Sequence, residues 1–494
     1  MNILTSNLGR FRRGSSKKRT SSWSKYKPIN VDLWVGTGSV LALLVYVVAY
    51  GIVRLHGFVI DHFNEGYLVI IIPIFVVDGV RGILDIAFAK DYKHAEEDLS
   101  KVTVVIACKD GEPVIGATLD DLKKKFAPSQ IIVASNGSTD KTCEIVRSHD
   151  AVCLEVVEPI GKVRAINYAM PFVKTPYVLL LDDDTLLDGA LIPTGLLDKN
   201  YGGVAFRVHV KRHAKNSLAT LIQAHEYRKS SDIGKRRHNK HAAVQNISGA
   251  VGLYTHKELM RQVELHSGEF SGEDLQRTML LHLAVDSHYK GVVLAHSIVL
   301  TEAPSDFKSL YRQRVFGWFP GQYANFKNYI RVMFSSHAPL GLREDAFYNI
   351  FFVMFMDIIR IVALPIMIFY PWYFVVMYFT YVTLETIAYL KNSRQEPYWV
   401  VLIYPFYGLF GLVTRLGAFC AFCYRRLIAH LCRMKYYDDY RRASTSMKFL
   451  SLSIVMLFLC SILTINVKNN YSRTFTNINL AHTARHIKHV LERS

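Results

Sequence analysis

Apolar residues crowd the two ends of this 494-residue chain, while its middle alternates short apolar runs with polar loops, as a soluble domain does. From Leu33 to Leu55 the only charge is Arg54, and the run is long enough to cross a bilayer as a helix. A second run, about 66–89, carries Asp78, Arg81 and Asp85, charges that suit a helix facing protein or the membrane interface. Beyond the middle, residues 326–347 read as an interfacial amphipathic segment. Spans follow at about Tyr348–Tyr370, Trp372–Leu390, Trp399–Cys423 and Phe449–Ile465, with Asp357, Arg360 and Arg415 as the costly intramembrane charges. Simple counting places the Lys/Arg-rich loop 424–448 outside, against the positive-inside tendency, so the Gly- and Pro-interrupted run 399–423 reads as re-entrant or interfacial. Residues 480–491 have the spacing of an amphipathic helix.

Within the middle, Val102–Ala107, Ile131–Ala134, Ala151–Val157 and Tyr177–Leu181 read as strands, the first and the last of them buried. A helix carrying Ile115, Leu119 and Leu122 separates the first two, and Thr142–Ser148 and Gly161–Ala169 read as further helices. Strands alternating with helices imply βαβ units and a parallel sheet. The fourth strand runs directly into Asp182, Asp183 and Asp184. Ligands of open α/β sheets bind beyond the carboxyl ends of strands, and alternation sends Asp182 and Asp184 to one side, where the pair can hold one divalent cation. An acidic turn closing a strand has the same local sequence. The loop Ser135–Asp140 suits phosphate contact and ordinary helix capping equally.

Charge changes the picture at the ends. The formal net charge is +18, but residues 1–30 hold eight Lys or Arg and no acid, and more of the excess flanks apolar runs. That pattern fits membrane orientation, with the basic tail and the soluble domain on the cytoplasmic side, and not nucleic-acid binding. The seven cysteines show no disulfide framework, and the Cys420/Cys423 pair lacks a second pair; all are expected as reduced, mostly buried thiols. A basic, His-rich stretch at 211–241 fits no zinc spacing and is expected as a solvated surface or a lipid- or substrate-facing loop.

Seven short motifs occur in a fixed order: Ala107-x-x-Asp110-x-Glu112, Asn136-Gly-Ser-Thr-Asp140, Gly161-Lys162-x-x-Ala165-x-Asn167-x-Ala169, Leu181-Asp-Asp-Asp-Thr185, Ser248-Gly-Ala250, Ser271-Gly-Glu-Asp274 and Gln313–Trp318. In this order they resemble the inverting family 2 glycosyltransferases of GT-A fold, and among them the membrane-embedded polysaccharide synthases of hyaluronan, chitin and cellulose type. The resemblance implies an α/β GT-A domain with a mixed, mostly parallel sheet, inserted between transmembrane helices of a multi-pass plasma- or inner-membrane protein. The layout is a basic tail at 1–30, two helices in 31–95, the catalytic domain at 96–325, the interfacial segment, membrane or interfacial helices in 348–466 and a tail at 467–494.

The resemblance also implies roles. Asp110 or Glu112, with Asn136 and Asp140 of the Asn-Gly-Ser-Thr-Asp loop, would hold the uridine of a UDP-sugar. Lys162, Arg164 and Asp183 would approach the nucleotide and its phosphates. Asp182 and Asp184 would form the metal-binding pair for Mg²⁺ or Mn²⁺. Asp274, beside Glu273, would be the general base, and Gln313, Arg314 and Trp318 would line the acceptor channel. The chemistry asks for such groups: a cation stabilises a diphosphate leaving group, and a carboxylate accepts the proton of a weakly nucleophilic hydroxyl. Glu273 and Asp274 equally suit the first turn of a helix, where the dipole favours acids.

Two departures stand out. Ser135-Asn136 replaces two acids of many relatives, and aligned on Trp318 the Gln-x-x-Arg-Trp motif of processive relatives has Arg314 for its Gln and Gly317 for its Arg. The expected product is a polysaccharide extended from a nucleotide sugar. The rival readings are single-sugar transfer to a membrane lipid and a non-catalytic nucleotide-sugar-binding scaffold.

Overall fold

A computed structural model describes residues 80–85, 87, 92–213, 216–266, 272–284, 289–355, 371–391 and 396–432. The basic tail, the first expected span, Asp78, Asp357, Arg360, most of 348–370, the span at 449–465 and the helix at 480–491 lie outside the described residues.

Continuous apolar runs make strands that are buried on both faces. Strand β1 (Val102–Cys108) lies between β2 (Ile131–Asn136) and β4 (Tyr177–Leu181), parallel to both, with Val104 opposite Ile131 and Val102 opposite Tyr177. Strand β3 (Val152–Val156) adds in parallel outside β2. Beyond the expected parallel half, β5 (Thr185–Leu186), β6 (Gly203–Val210), β7 (Val251–Thr255) and β8 (Val292–Thr301) complete an eight-stranded sheet of order β3-β2-β1-β4-β7-β6-β8-β5. Strand β7 runs antiparallel to β4 and β6, while β6 and β8 are parallel.

Pleating divides the core between the two faces. Leu179 and Leu181 point to one face, with Val104, Ile106, Ile131 and Val133. Helix α1 (Ile115–Leu122) covers that face through Ile115, Leu119 and Leu122, all fully buried. Val178 and Leu180 point to the other, with Val105, Ile132 and Ala134, under helix α3 (Lys162–Ala169) and its Ala165, Ile166 and Ala169. Helix α2 (Thr142–Ser148) stands between them in the chain and leads toward β3.

The expected boundary at 325 is crossed by a third core. Leu275 and Met279 of a helix at Glu273–His282 pack with Tyr329, Ile330 and Val332 of Phe326–Phe334 and with Leu342 and Ala346 of Leu340–Tyr348. Within the segment expected to be interfacial, helix Phe326–Phe334 is one-sided and its apolar side meets the α/β domain, whereas Leu340–Tyr348 has no such one-sidedness.

The stretch 211–241 is not a solvated loop. Helix α4 (Leu218–Lys229) continues through a wider π-type turn, Ser230–Gly234, into Lys235–His238. Arg228, His225 and His238 are buried beside acids elsewhere in the chain, Asp232 beside Arg207 and His209, and Asn239 bonds the Leu294 backbone. Arg207 donates to Asp232 at 2.6 Å, His238 lies 3.3 Å from Asp345 and Arg237 2.9 Å from Asp85, while Arg81 also pairs with Asp345. Arg81 and Asp85 therefore face protein, as their position in an apolar run suggested.

Two long helices follow, at Pro371–Lys391 and Trp399–Cys432. Among the described residues one segment, Trp399–Cys423, is long and apolar enough to cross a membrane, with mean hydropathy 1.5. The expected interruption is absent: the helix passes through Pro405 and takes in the first residues of the expected loop 424–448. Val400 and Tyr407 pack on Ile222 and Leu310 of the α/β domain, contacts that hold the helix on both sides of the proline. Glu385, an acid within the expected span 372–390, is buried and bonded to His225 and Lys229. Cys108, Cys143, Cys153, Cys420 and Cys423 are free thiols, but of these only Cys108 is buried; Cys423 is exposed.

The Asp232 cluster makes a stability prediction. Burial pushes the Asp232 carboxyl up, but hydrogen bonds from His209 and Arg207 outweigh it and hold it at about 2, below its ordinary 3.8. Its stabilisation is complete above pH 3.8 and is lost as pH falls through 2. Asp232→Asn should cost about 3–5 kcal/mol at neutral pH, since it leaves Arg207 buried and unpaired. Chemical unfolding at neutral pH and between pH 4 and 2 checks this: the variant should be less stable and its acid limb flatter.

Candidate active site

The sheet's carboxyl edge gathers the three loops that follow β1, β2 and β3. Asp110 accepts the Thr139 N–H at 2.9 Å and donates its own N–H to Ser138 Oγ at 3.0 Å. Glu112 donates its N–H to Asp140 at 3.0 Å and accepts that of Lys141 at 3.2 Å. Asn136 Oδ1 accepts the N–H groups of Ile160 and Gly161 at 2.7 and 3.2 Å. Asp110, Glu112, Asn136 and Asp140 are thus brought together, and here each one cross-links the loops.

The same pleat sorts the acid triplet. Asp182 continues the parity of Leu180 and meets Lys162 on the α3 face, at 2.6 Å. Asp183 continues the parity of Leu181, turns to the opposite face and accepts the Cys108 thiol at 3.0 Å. It does not join the Lys162 pocket, contrary to its expected part in donor binding. Asp184 follows in the turn, where Thr301 Oγ1 donates to it at 3.2 Å.

Lys162 also reaches Glu273 Oε1 at 2.9 Å, so one ammonium joins the β4 end to helix α5 (Glu273–His282). Asp274 lies beside this bridge, accepting from Asn246 Nδ2 at 3.1 Å, the Gly249 N–H at 2.9 Å and the Leu275 N–H at 2.9 Å. Lys162, Asp182, Glu273 and Asp274 line one pocket with Ser248, Gly249 and Arg277, over an apolar floor that includes Val105, Leu180 and Tyr254.

Burial and charge pull the pocket's acids apart. Burial would raise Glu273, but Lys162 outweighs it and holds the carboxyl at about 2. Burial lifts Asp182 to about 7 although Lys162 opposes it, with Asp184 and Glu273 adding to the rise. Asp182 gains less because Glu273 has further help, from the Gly272 N–H at 3.1 Å and the field of Arg277. Burial first, and Glu273 second, raise Asp274. Burial works against the Lys162 ammonium, yet its two acids keep it well above its ordinary value, hence charged.

Arg164 is not part of this pocket. It is exposed, while Lys162 and Ile166 of the same helix line the pocket. Two residues along a helix turn a side chain by about 200°, so a motif that aims Lys162 inward aims Arg164 out.

Gln313, Arg314 and Trp318 lie where a short helix, Phe307–Gln313, opens into a π-type turn, Arg314–Trp318. Arg314 is 2% exposed, donates to Glu226 at 2.5 Å and lies 3.5 Å above the Trp318 ring. Trp318 is half open to solvent and stacks on Tyr227, with centroids 5.7 Å apart and planes 28° from parallel. Burial raises the Tyr227 phenol, and Glu226 and Asp184 are near enough to add to it, so this aromatic pair adjoins the acid triplet. Gln313 Oε1 is buried without a hydrogen-bond partner among the described residues. Sequence reasoning missed Glu226, Tyr227, Asn246 and Arg277. The one local signal for the first two was a polar His-Glu-Tyr-Arg run in a helical segment.

Asp182 and Asp184 could hold a divalent cation. Both offer hard oxygen donors, which suit Mg²⁺ or Mn²⁺, and Asp182 sits among acids that a single ammonium leaves incompletely compensated.

Residues 100–318 match the family model described as glycosyltransferase like family 2. The poly-beta-1,6-N-acetyl-D-glucosamine synthase of Staphylococcus aureus strain COL is 25% identical over 284 residues, 56% of this chain and 65% of that protein. The chain thus matches just under two thirds of this relative's length. The enzyme of the same name from Staphylococcus epidermidis is 25% identical over 233 residues, 45% and 55% of the two chains. The structure of a mannosyltransferase from Pyrobaculum calidifontis, in complex with GDP-Man and Mn²⁺, superposes with a TM-score of 0.46 at 16% identity, covering 70% of this chain and 95% of that one. With its mixed, mainly parallel sheet, the matched region 100–318 is a glycosyltransferase family 2 domain of GT-A fold.

Proposed function

We propose that this enzyme transfers a sugar, with inversion, from a UDP-sugar to a growing polysaccharide, as a multi-pass membrane protein whose catalytic domain is cytoplasmic. The observation that carries the reading is the Lys162 bridge, which joins Asp182 to Glu273 in one pocket with Asp274. The polymer-synthase name of the staphylococcal relatives and the apolar segment Trp399–Cys423 support polymer extension at a membrane.

Asp182 and Asp184 would hold Mg²⁺ or Mn²⁺, which when bound supplies positive charge for the diphosphate leaving group. Asp274 takes the proton of the acceptor hydroxyl as its oxygen bonds to the anomeric carbon. The bond from that carbon to the phosphate oxygen breaks on the opposite side, and its electron pair leaves with the diphosphate. Three N–H donors hold the Asp274 carboxylate in place, and its raised proton affinity suits a base. Lys162 adds positive charge beside the leaving group. Trp318, held by Tyr227 and Arg314, offers its exposed part to the acceptor sugar.

Chelation with EDTA should abolish turnover of radiolabelled UDP-sugar and added Mn²⁺ should restore it; Asp184→Asn should be inactive with the metal present. Turnover persisting in both experiments would remove the acid pair from metal binding. Asp274→Asn should bind donor nearly as wild type does while kcat falls roughly 10²–10⁴-fold. An equal loss of donor affinity would make Asp274 structural instead. Arg314→Ala frees Trp318 from its cation and leaves Glu226 without its strongest donor, so products sized on a gel should shorten. A product one sugar longer than its acceptor and soluble in organic solvent, made with excess donor, would replace the polymer by a lipid.

A further inference from the structure

The pocket holds a second cation to which the mechanism above gives no task. Arg277 lies four residues after Glu273 on α5, so both side chains share a helix face, and it lines the pocket with Lys162, Asp182 and Asp274. It is 3% exposed, and its Nη2 is buried without a hydrogen-bond partner among the described residues. Four arginines are buried among those residues: Arg207, Arg228, Arg277 and Arg314. The other three pair with carboxylates, of Asp232, Glu396 and Glu226 respectively. The two carboxylates nearest in sequence to Arg277 are engaged elsewhere: Glu273 by Lys162, and Asp274 by the N–H donors of Asn246, Gly249 and Leu275.

A buried charge with no hydrogen-bonded counterion is costly, even with Glu273 within reach of its field. A lysine escapes that cost by losing its proton, whereas a guanidinium stays charged and presents five donors and no acceptor. What completes it must be an oxygen acceptor, and an anionic one is favoured where Val105, Leu180 and Tyr254 keep the floor apolar. We propose that Arg277 is a donor-binding residue whose guanidinium takes an oxyanion of the nucleotide sugar. Two groups carry that chemistry, the diphosphate and a carboxylate on the sugar itself. The inference rests on the pocket being the donor site.

The test measures binding of UDP, UDP-glucose and UDP-glucuronate to the full chain in detergent with Mn²⁺, by calorimetry, for wild type, Arg277→Met and Arg277→Lys. Without ligand, Arg277→Met should melt no lower than wild type, because it replaces an unpaired buried charge by an apolar side chain of similar length. Its affinity should fall roughly ten- to one-hundred-fold, the loss of a charged hydrogen bond, with Arg277→Lys between the two. Equal weakening for all three nucleotides assigns the oxyanion to the diphosphate, and weakening for UDP-glucuronate alone assigns it to the sugar. A lower melting temperature for Arg277→Met, or wild-type affinity for every nucleotide that wild type binds, overturns the proposal. Wild type binding none of the three removes the donor reading, and this inference with it.

Discussion

One ammonium, that of Lys162, ties together chain segments more than a hundred residues apart, and the site is built around it. Asp182 and Glu273 would repel each other as anions in a partly dry pocket, and the ammonium between them offsets that repulsion. The backbone is arranged to allow this. Gly161, at φ +90°, starts α3 so that its first side chain points over the end of β4. Gly272, at φ +92°, starts α5 where a Cβ would stand 3.1 Å from the Gly321 backbone. Two left-handed glycines therefore aim the lysine and its second acid at each other, and any larger residue at either position would be strained.

Much of this was legible because it is local. Strand β4 runs over Tyr177–Leu181 as its apolar run indicates, and α1 buries the three apolar residues its spacing selects. The acid triplet shows both the reach and the end of such reasoning. Pleating alone sends Asp182 and Asp183 to opposite faces, so Asp183 could have been excluded from the sequence. Helix periodicity alone could likewise have excluded Arg164. Asn246 and Arg277 carry no comparable local mark: they matter because a loop and the inner face of a helix meet at one pocket.

The largest misreading, at 211–241, has the same origin. A run of basic residues looks solvated when its partners are distant, as Asp85, Asp345, Glu385 and Glu396 are. Burial of these charges also changes what the two long apolar helices are. Glu385 would be expensive facing lipid, but it meets His225 and Lys229 of α4 in the α/β domain. The helices are thus joined to the catalytic domain by buried polar contacts as well as by the apolar packing of Val400 and Tyr407.

The altered Gln-x-x-Arg-Trp motif reads differently in this setting. An arginine immediately before a tryptophan on a helix points about 100° away from it, whereas one four residues before shares its face. Arg314 stands in that position, with its guanidinium 3.5 Å over the Trp318 ring. A guanidinium thus meets the tryptophan although Gly317 carries none, and it has its own counterion. Glu226 accepts from Arg314 and from the Tyr407 hydroxyl of the helix Trp399–Cys432, at 2.5 and 2.9 Å. Through Tyr227 the same α4 turn stacks on the tryptophan and lies near Asp184. One turn of one helix thus joins the aromatic platform to the apolar helix and stands within electrostatic reach of Asp184.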